Sequence, residues 1–174
     1  MNDEVAHTMR FLRLIIISLV FFSFIITGIS LFIPSHVTIS RAVHINNSRE
    51  AVMDELSDPA RWRDWYPAAH SADLYYENGT IKGLILDDIK KRYIVINDIK
   101  QNEVIAAYVL PHRKVKTGWQ IAPSIGYNVV TVQWYMEFHL RWYPWEKFSS
   151  FMFERVYGSQ LQQGLDNLKA FLER

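Results

Sequence analysis

Asn128–Trp142 reads NVVTVQWYMEFHLRW, and taken two residues at a time it separates into two rows. One row is Val130, Val132, Trp134, Met136, Phe138, Leu140 and Trp142, all apolar. The other is Thr131, Gln133, Tyr135, Glu137, His139 and Arg141, polar apart from the amphipathic tyrosine. A period of two held this long predicts an extended strand with one dry face and one wet face. A Pro-Trp pair follows, and then a helix-length segment to the C-terminus. A long strand feeding a closing helix is one way to build a container.

The bulk composition narrows the function classes. Nineteen Lys and Arg stand against eighteen Asp and Glu, a net charge of +1, so no basic face calls for nucleic acid. The absence of cysteine removes disulfides, thiolate catalysis and cysteine metal sites. The six histidines (His7, His36, His44, His70, His112, His139) show no spacing that seeds a metal site. Neither a metal nor a cofactor is expected. An aromatic content of 14%, with six tryptophans, suits a domain that lines something as well as filling itself.

Leu14–Ile33 (LIIISLVFFSFIITGISLFI) carries no charge. As a helix at ~1.5 Å per residue it would match a hydrocarbon core of ~30 Å. The run exceeds the ~7–15 residues of a signal-peptide apolar region, and no helical register leaves a polar face. A retained transmembrane anchor is therefore favoured over a cleaved leader. Arg10 and Arg13 precede it closely, while Arg41 and Arg49 lie further beyond. That asymmetry puts the N-terminus inside and the main domain outside. The expected layout is a cytoplasmic tail over 1–13, the span over 14–33 and one domain over 36–174.

Along the domain, Val37–Ile45 predicts a first strand with Val37, Ile39, Val43 and Ile45 on one face. Arg41 interrupts that face, either turned outward by a bulge or pointing inward as a lone cation. Asn47 with Glu50 reads as a capped helix start, with Val52, Met53 and Leu56 as its buried stripe. Asp58-Pro59 opens a second short helix carrying Trp62 and Trp65, which are read as a core plug before an entrance rim. Strands follow at Ala72–Glu77 and Ile81–Leu86 around Asn78-Gly79, a type I′ hairpin signal. Further strands are expected at Tyr93–Ile99, Val104–Leu110 and Val115–Ala122. The last should meet the long strand through Pro123–Gly126, with Trp119 near Val132 and Thr117 near Trp134. Phe148–Leu172 predicts one long helix with Phe148, Phe151, Met152, Val156, Leu161, Leu165, Leu168 and Leu172 as its stripe. Gly158 and Gly164 inside it suggest close approach to the sheet or a bend.

This order resembles the START-like helix-grip superfamily (SRPBCC) of polyketide cyclases and lipid-transport proteins, over roughly His36–Arg174. The motifs are V-x-I-x-R-x-V-x-I, L-S-D-P-x-x-W-x-x-W at Leu56–Trp65 and G-W-x-I-x-P at Gly118–Pro123. With them come V-T-V-Q-W at Val130–Trp134, Y-P-W-x-K-F at Tyr143–Phe148 and G-L-x-N-L-K at Gly164–Lys169. The resemblance implies an α+β helix-grip fold. A curved antiparallel sheet of six to seven strands would wrap a long C-terminal helix, with an elongated cavity between them. Members bind hydrophobic or amphipathic ligands, and a minority catalyse cyclisation or related reactions; the fold alone does not choose.

Three functions compete. The first is a non-catalytic, membrane-anchored module for a hydrophobic, lipid-like or polyketide-like small molecule. Its expected lining is Trp119, Ile121, Val132, Trp134, Met136 and Phe138 against Val156, Leu161 and Leu165, though the same residues would also serve a filled core. Inward polar groups would be Arg41, Tyr93, Asn97 and Tyr108. The second is a cyclase or dehydratase in the same cavity, which needs an acid or base within reach. Glu137 and His139 lie on the polar row, so they face solvent, and no catalytic residue is assigned. The third is a protein-interaction module with an exposed patch around Trp142, Tyr143 and Trp145, aromatics that could equally be buried under the helix start.

Overall fold

The computed structural model describes residues 2–67, 69–123 and 129–174, with side chains described from residue 7 onward apart from that of Pro123. The chain divides into two compact units. The larger comprises His36–His139 and Met152–Arg174, the smaller Met1–Ser35 and Leu140–Phe151.

The larger unit is a seven-stranded antiparallel sheet. Its strands are β1 (His36–Ile45), β2 (Asp73–Glu77), β3 (Thr80–Asp87), β4 (Arg92–Lys100), β5 (Glu103–Leu110), β6 (Arg113–Pro123) and β7 (Val130–His139). Strands β2 to β7 form a meander, and β1 closes on β7, giving the order β1-β7-β6-β5-β4-β3-β2. Helix α4 (Phe153–Leu172) packs mainly on β1 and β7. This is the helix-grip architecture, an α+β fold. Asn78 and Gly79 both have positive φ, 52° and 78°, as a type I′ turn demands. Register shifts at Tyr75/Tyr76, Ile85/Asp87 and Ile96/Asp98 add the local twist that bends a sheet.

Several elements differ from the sequence reading, each for a local reason. The long strand ends at His139, and Trp142 is 63% exposed. Pro144 follows at the first turn of helix α3 (Pro144–Ser149), and proline cannot donate to a ladder. Asn128 and the expected turn residues 124–126 lie outside the described residues. In the register Trp119 faces Trp134 and Thr117 faces Met136, a ladder displaced by two from the one a turn near Ile125-Gly126 gives. Thr117 does meet Trp134, through a side-chain hydrogen bond. A slip of two preserves the face, so the apolar row remains inward. The single C-terminal helix is two: Ser149 and Ser150 return their hydroxyls to the Glu146 and Lys147 carbonyls, and a 3-10 turn at Ser150–Met152 separates α3 from α4. Serine pairs and back-bonded hydroxyls are ordinary sites of such breaks. Consequently Phe148, Phe151, Met152 and Val156 are exposed, while Phe153 joins the core.

Helix α2 (Arg49–Ser57) is capped by Ser48, whose hydroxyl accepts from Ala51 N. Asn47 instead donates from Nδ2 to the Leu172 carbonyl at 2.8 Å, satisfying an orphan acceptor at the end of α4. The buried residues of α2 are Val52, Glu55 and Leu56.

A tryptophan plug fills the core beside α2. Trp62 sits on the 3-10 turn Arg61–Asp64, is fully buried, and donates its indole N–H to the Leu56 carbonyl at 3.0 Å. Its ring lies 5.1 Å from Trp119, which lies 5.2 Å from Trp134; Trp65 contacts all three. Gly164 lets α4 approach Trp134: a Cβ there would stand 2.3 Å from Trp134 Cζ3. Replacing Gly164 with Ala should therefore destabilise the fold by ~1–3 kcal/mol, the usual cost of overpacking, read as a lowered midpoint in denaturation of the full chain in detergent.

Glu55 is a buried carboxylate whose pKa burial raises, against the opposing pull of Arg61. A raised folded-state value makes its contribution to stability complete below the unfolded carboxylate range and lost as pH rises through the raised value. Glu55→Gln should thus gain stability relative to wild type as pH climbs from acid to neutral, and lose that advantage at acid pH.

Candidate functional site: a cavity between the sheet and helix α4

The plug does not fill the space under α4. A cavity of about 390 Å³ lies beyond Trp134, with Thr117, Trp134 and Met136 from β6 and β7 and with Leu86, Arg92 and Tyr108 from β3 to β5. Tyr66, Pro67 and His70 close one side. Helix α4 contributes Tyr157, Gln160, Leu161, Gln163 and Asn167, of which Tyr157, Gln160, Gln163 and Asn167 follow one another at steps of three and four along one side. Trp134 and Tyr66 belong to both plug and cavity, their rings 5.2 Å apart. The dry part of the wall is thereby anchored to the rigid part of the core.

Polar groups in the wall are held in place. Trp134 Nε1 donates to Thr117 Oγ1 at 2.9 Å, and Thr117 Oγ1 donates to the Tyr135 carbonyl at 2.8 Å. Asn167 Nδ2 donates to the Trp65 carbonyl at 3.1 Å. Arg92 NH2 meets Asp87 Oδ2 at 2.9 Å, an arrangement that depends on the irregularity in β3. There Leu86 is the extra residue, so Asp87 stands opposite Arg92 and on its face of the sheet. Arg92 Nε is buried without a hydrogen-bond partner.

Burial raises the pKa of the Tyr66 phenol, and burial likewise raises that of Tyr108, partly offset by Arg92. Both are neutral hydroxyls at physiological pH, able to donate to a ligand oxygen. Among the described residues, no carboxylate lines the cavity. The described residues contain no group of three or more His, Asp or Glu that could hold a metal ion.

The residues singled out from sequence fall in three places. Trp134, Met136, Leu161 and Tyr108 line the cavity. Trp119, Ile121, Val132, Phe138 and Leu165 are buried in the core without reaching it, and Val156 is 46% exposed on α4. The remaining polar candidates are elsewhere. Arg41 sits in an unbulged β1, opposite Trp134, and pairs with Glu154 of α4 beside Gly158; it is neither turned out by a bulge nor a lone cation. Tyr93 pairs across the ladder with Val109, whereas Tyr108 pairs with Ile94. Tyr93 and Tyr108 therefore face opposite sides, and Tyr93 stacks on Tyr75 at 5.4 Å. Asn97 is the unpaired residue of the β4 irregularity and is exposed. Tyr75, Tyr93 and Val109 also border a larger, shallow depression of about 580 Å³. It lies on the sheet face turned away from the buried core.

Glu137 is tied to Lys116 at 3.0 Å, and His139 packs edge-on against His36. Both occupy the outward row.

Sequence reasoning missed Tyr66, His70, Thr117, Arg92, Tyr157, Gln160, Gln163 and Asn167. The helix residues carried a signal, because Gln160, Gln163 and Asn167 run beside the Leu161–Leu165–Leu168 stripe. Polar residues bordering a helical stripe can line a void as readily as face water.

Residues 36–173 match the family described as polyketide cyclase / dehydrase and lipid transport. The chain belongs to this family. Its fold is shared with a START superfamily protein from Mycobacterium smegmatis (16% identity, TM-score 0.60, covering 78% of this chain and 97% of that one). It is also shared with a Thalictrum norcoclaurine synthase mutant bound to a transition-state analogue (10% identity, TM-score 0.59, 79% and 94%). The di-domain ARO/CYC protein BexL of the BE-7585A biosynthetic pathway is similar too (15% identity, TM-score 0.57, 80% and 51%). At these identities the likeness is one of fold. No curated protein matches the sequence.

Thr117 is the hinge of the cavity's polar wall. Thr117→Val keeps the shape but leaves the Trp134 indole N–H unsatisfied, which should cost ~1–3 kcal/mol in a chemical denaturation of the full chain.

Proposed function

We propose that this chain is a membrane-anchored, non-catalytic binding protein for a small amphipathic molecule held between the sheet and α4. The observation that carries the reading is the make-up of the cavity wall. It has an apolar floor of Trp134, Met136 and Leu161, a set of neutral donors, and one cation, Arg92. Apolar surface with a few convergent polar groups is the usual composition of a small-molecule site. Arg92 Nε, buried and unpartnered, would favour a ligand bearing an oxygen acceptor or an anionic end.

Size adds a restriction. At about 390 Å³ the cavity lies in the lower part of the ~300–1,000 Å³ range of small-molecule sites, which suits a compact ring system or a single short chain. Helix α1 (Asn2–Leu31) supplies the anchor in this reading. Its segment His7–Leu31 has a mean hydropathy of 2.6 over its most apolar window and is almost wholly exposed along its length. Arg10 and Arg13 on its N-terminal side would place the binding domain across the membrane from the N-terminus.

A catalytic use of the same cavity, as a cyclase or dehydratase, would fall to His70, which shares it with Tyr66 and Tyr108. Among the described residues the wall brings no carboxylate to orient or charge-balance such a histidine, so binding is the stronger reading.

Full-length protein purified in detergent should yield a discrete small molecule on organic extraction and mass spectrometry. Gln163→Trp, at an exposed position on the cavity wall, should abolish its recovery without unfolding the chain. Arg92→Gln should weaken binding ~10–100-fold, the equivalent of a lost charge-assisted hydrogen bond. A wild-type protein that carries nothing, and binds nothing more tightly than Gln163→Trp does, would sink the proposal.

A further inference from the structure

The smaller unit holds an aromatic surface that the cavity does not explain. Helix α3 packs against α1, and the covered residues of α1 are Thr27, Gly28 and Ser30, close to its C-terminal end. The join is polar and specific. Lys147 is only 3% exposed, and its ammonium donates to the Ile33 carbonyl at 2.7 Å and to Ser35 Oγ at 2.8 Å. Ile33 lies two residues past the last residue of α1, so the ammonium sits just beyond the negative end of the helix dipole. The Leu140 N–H donates to the Ser35 carbonyl at 2.7 Å, and Glu146 Oε2 accepts from Arg141 N at 2.7 Å. Segment 140–149 is thus bound to the end of α1 and cannot drift along it.

With its lysine turned in, this segment turns its aromatics out. Trp142 is 63% exposed, Trp145 69% and Phe151 70%, while Tyr143 stacks flat on Trp145 at 4.9 Å. Phe32, at the end of α1, is 90% exposed. Soluble surfaces rarely gather so much aromatic area.

We infer that this surface is a seat in the lipid headgroup region, lying flat on the leaflet from which α1 emerges. The inference rests on the reading of α1 as a membrane span. Twenty-five residues, His7–Leu31, make a helix of ~37 Å, longer than a hydrocarbon core of ~30 Å. The last turn of α1 then reaches the interface, and Lys147 holds α3 at that depth. Tryptophan and tyrosine are the residues that concentrate there, because their rings prefer the acyl boundary and their N–H or O–H prefers the headgroups. Continuity with the exposed apolar end of α1 favours lipid over a protein partner. The seat would fix the tilt of the anchor and the height of the segment attached to it.

The six tryptophans make the test selective, since Trp62, Trp65, Trp119 and Trp134 are buried and α1 has none. Only Trp142 and Trp145 can meet lipid. The full chain is reconstituted into phosphatidylcholine vesicles whose acyl chains carry bromine close to the headgroup, and tryptophan emission is compared with that in unbrominated vesicles. Quenching is expected, weaker when bromine is moved to the chain ends, and lost in Trp142→Phe/Trp145→Phe, which is conservative at exposed sites. Alkaline extraction of the same vesicles reports on the span separately. Protein retained after alkali with unquenched indoles overturns the seat and points to a protein partner, leaving the span intact. Protein released by alkali after clear quenching supports the seat as a peripheral contact and overturns the span. Release without quenching overturns both.

Discussion

Gly164 against the six-membered ring of Trp134 is the contact on which the larger unit depends. Without a side chain on that turn of α4, the helix backbone can rest directly on the indole. From there the packing spreads in two directions. Trp134 passes it to Trp119, Trp65 and Trp62, which pin the 3-10 turn and α2 to the sheet. Leu161, Leu165 and Leu168 carry it along the helix. Aromatic pairs of this kind add ~0.5–1.5 kcal/mol each beyond their buried area. The cluster therefore acts as a stiff wedge between sheet and helix rather than as a fluid filling.

The cavity follows from that wedge. Beyond Trp134 the helix presents Tyr157, Gln160 and Gln163 in place of leucine, and the sheet presents Thr117, Tyr108 and Arg92. These side chains leave a space of about 390 Å³ between sheet and helix. The irregularity at Leu86 matters for charge. It brings Asp87 beside Arg92, so the cation is partly neutralised yet keeps a donor unpartnered. A site built on strands and a pinned helix is positioned more sharply than one built on loops.

How much of this could be read from residues alone differed by feature. Alternation along Val130–Phe138 predicted the inward row correctly even though the pairing partner was displaced by two, because faces depend on parity and not on register. Parity does not carry over to Tyr93 and Asn97. The residues alone predict Tyr93 and Tyr108 both inward, yet the ladder places Val109, not Tyr108, opposite Tyr93. Asn97 is the residue a strand irregularity leaves unpaired, and irregularities leave little trace in composition. Arg41 was legible as an anomaly, but its partner Glu154 lies more than a hundred residues away in the chain.

Local sequence pattern is enough for the long apolar helix α1, the helix-grip order of elements, the I′ turn at Asn78-Gly79 and the dry face of the long strand. These follow from local spacing, period and turn chemistry, which are properties of neighbours in the chain. The fold as a whole shows which aromatics fill the core and which border space. It also revealed that the C-terminal helix breaks at its serine pair, and that Lys147 turns inward to the end of α1 while Trp142 and Trp145 turn out. Those outcomes depend on volumes and hydrogen-bond partners supplied by distant segments, and periodicity records only that a residue is apolar, not what waits opposite it.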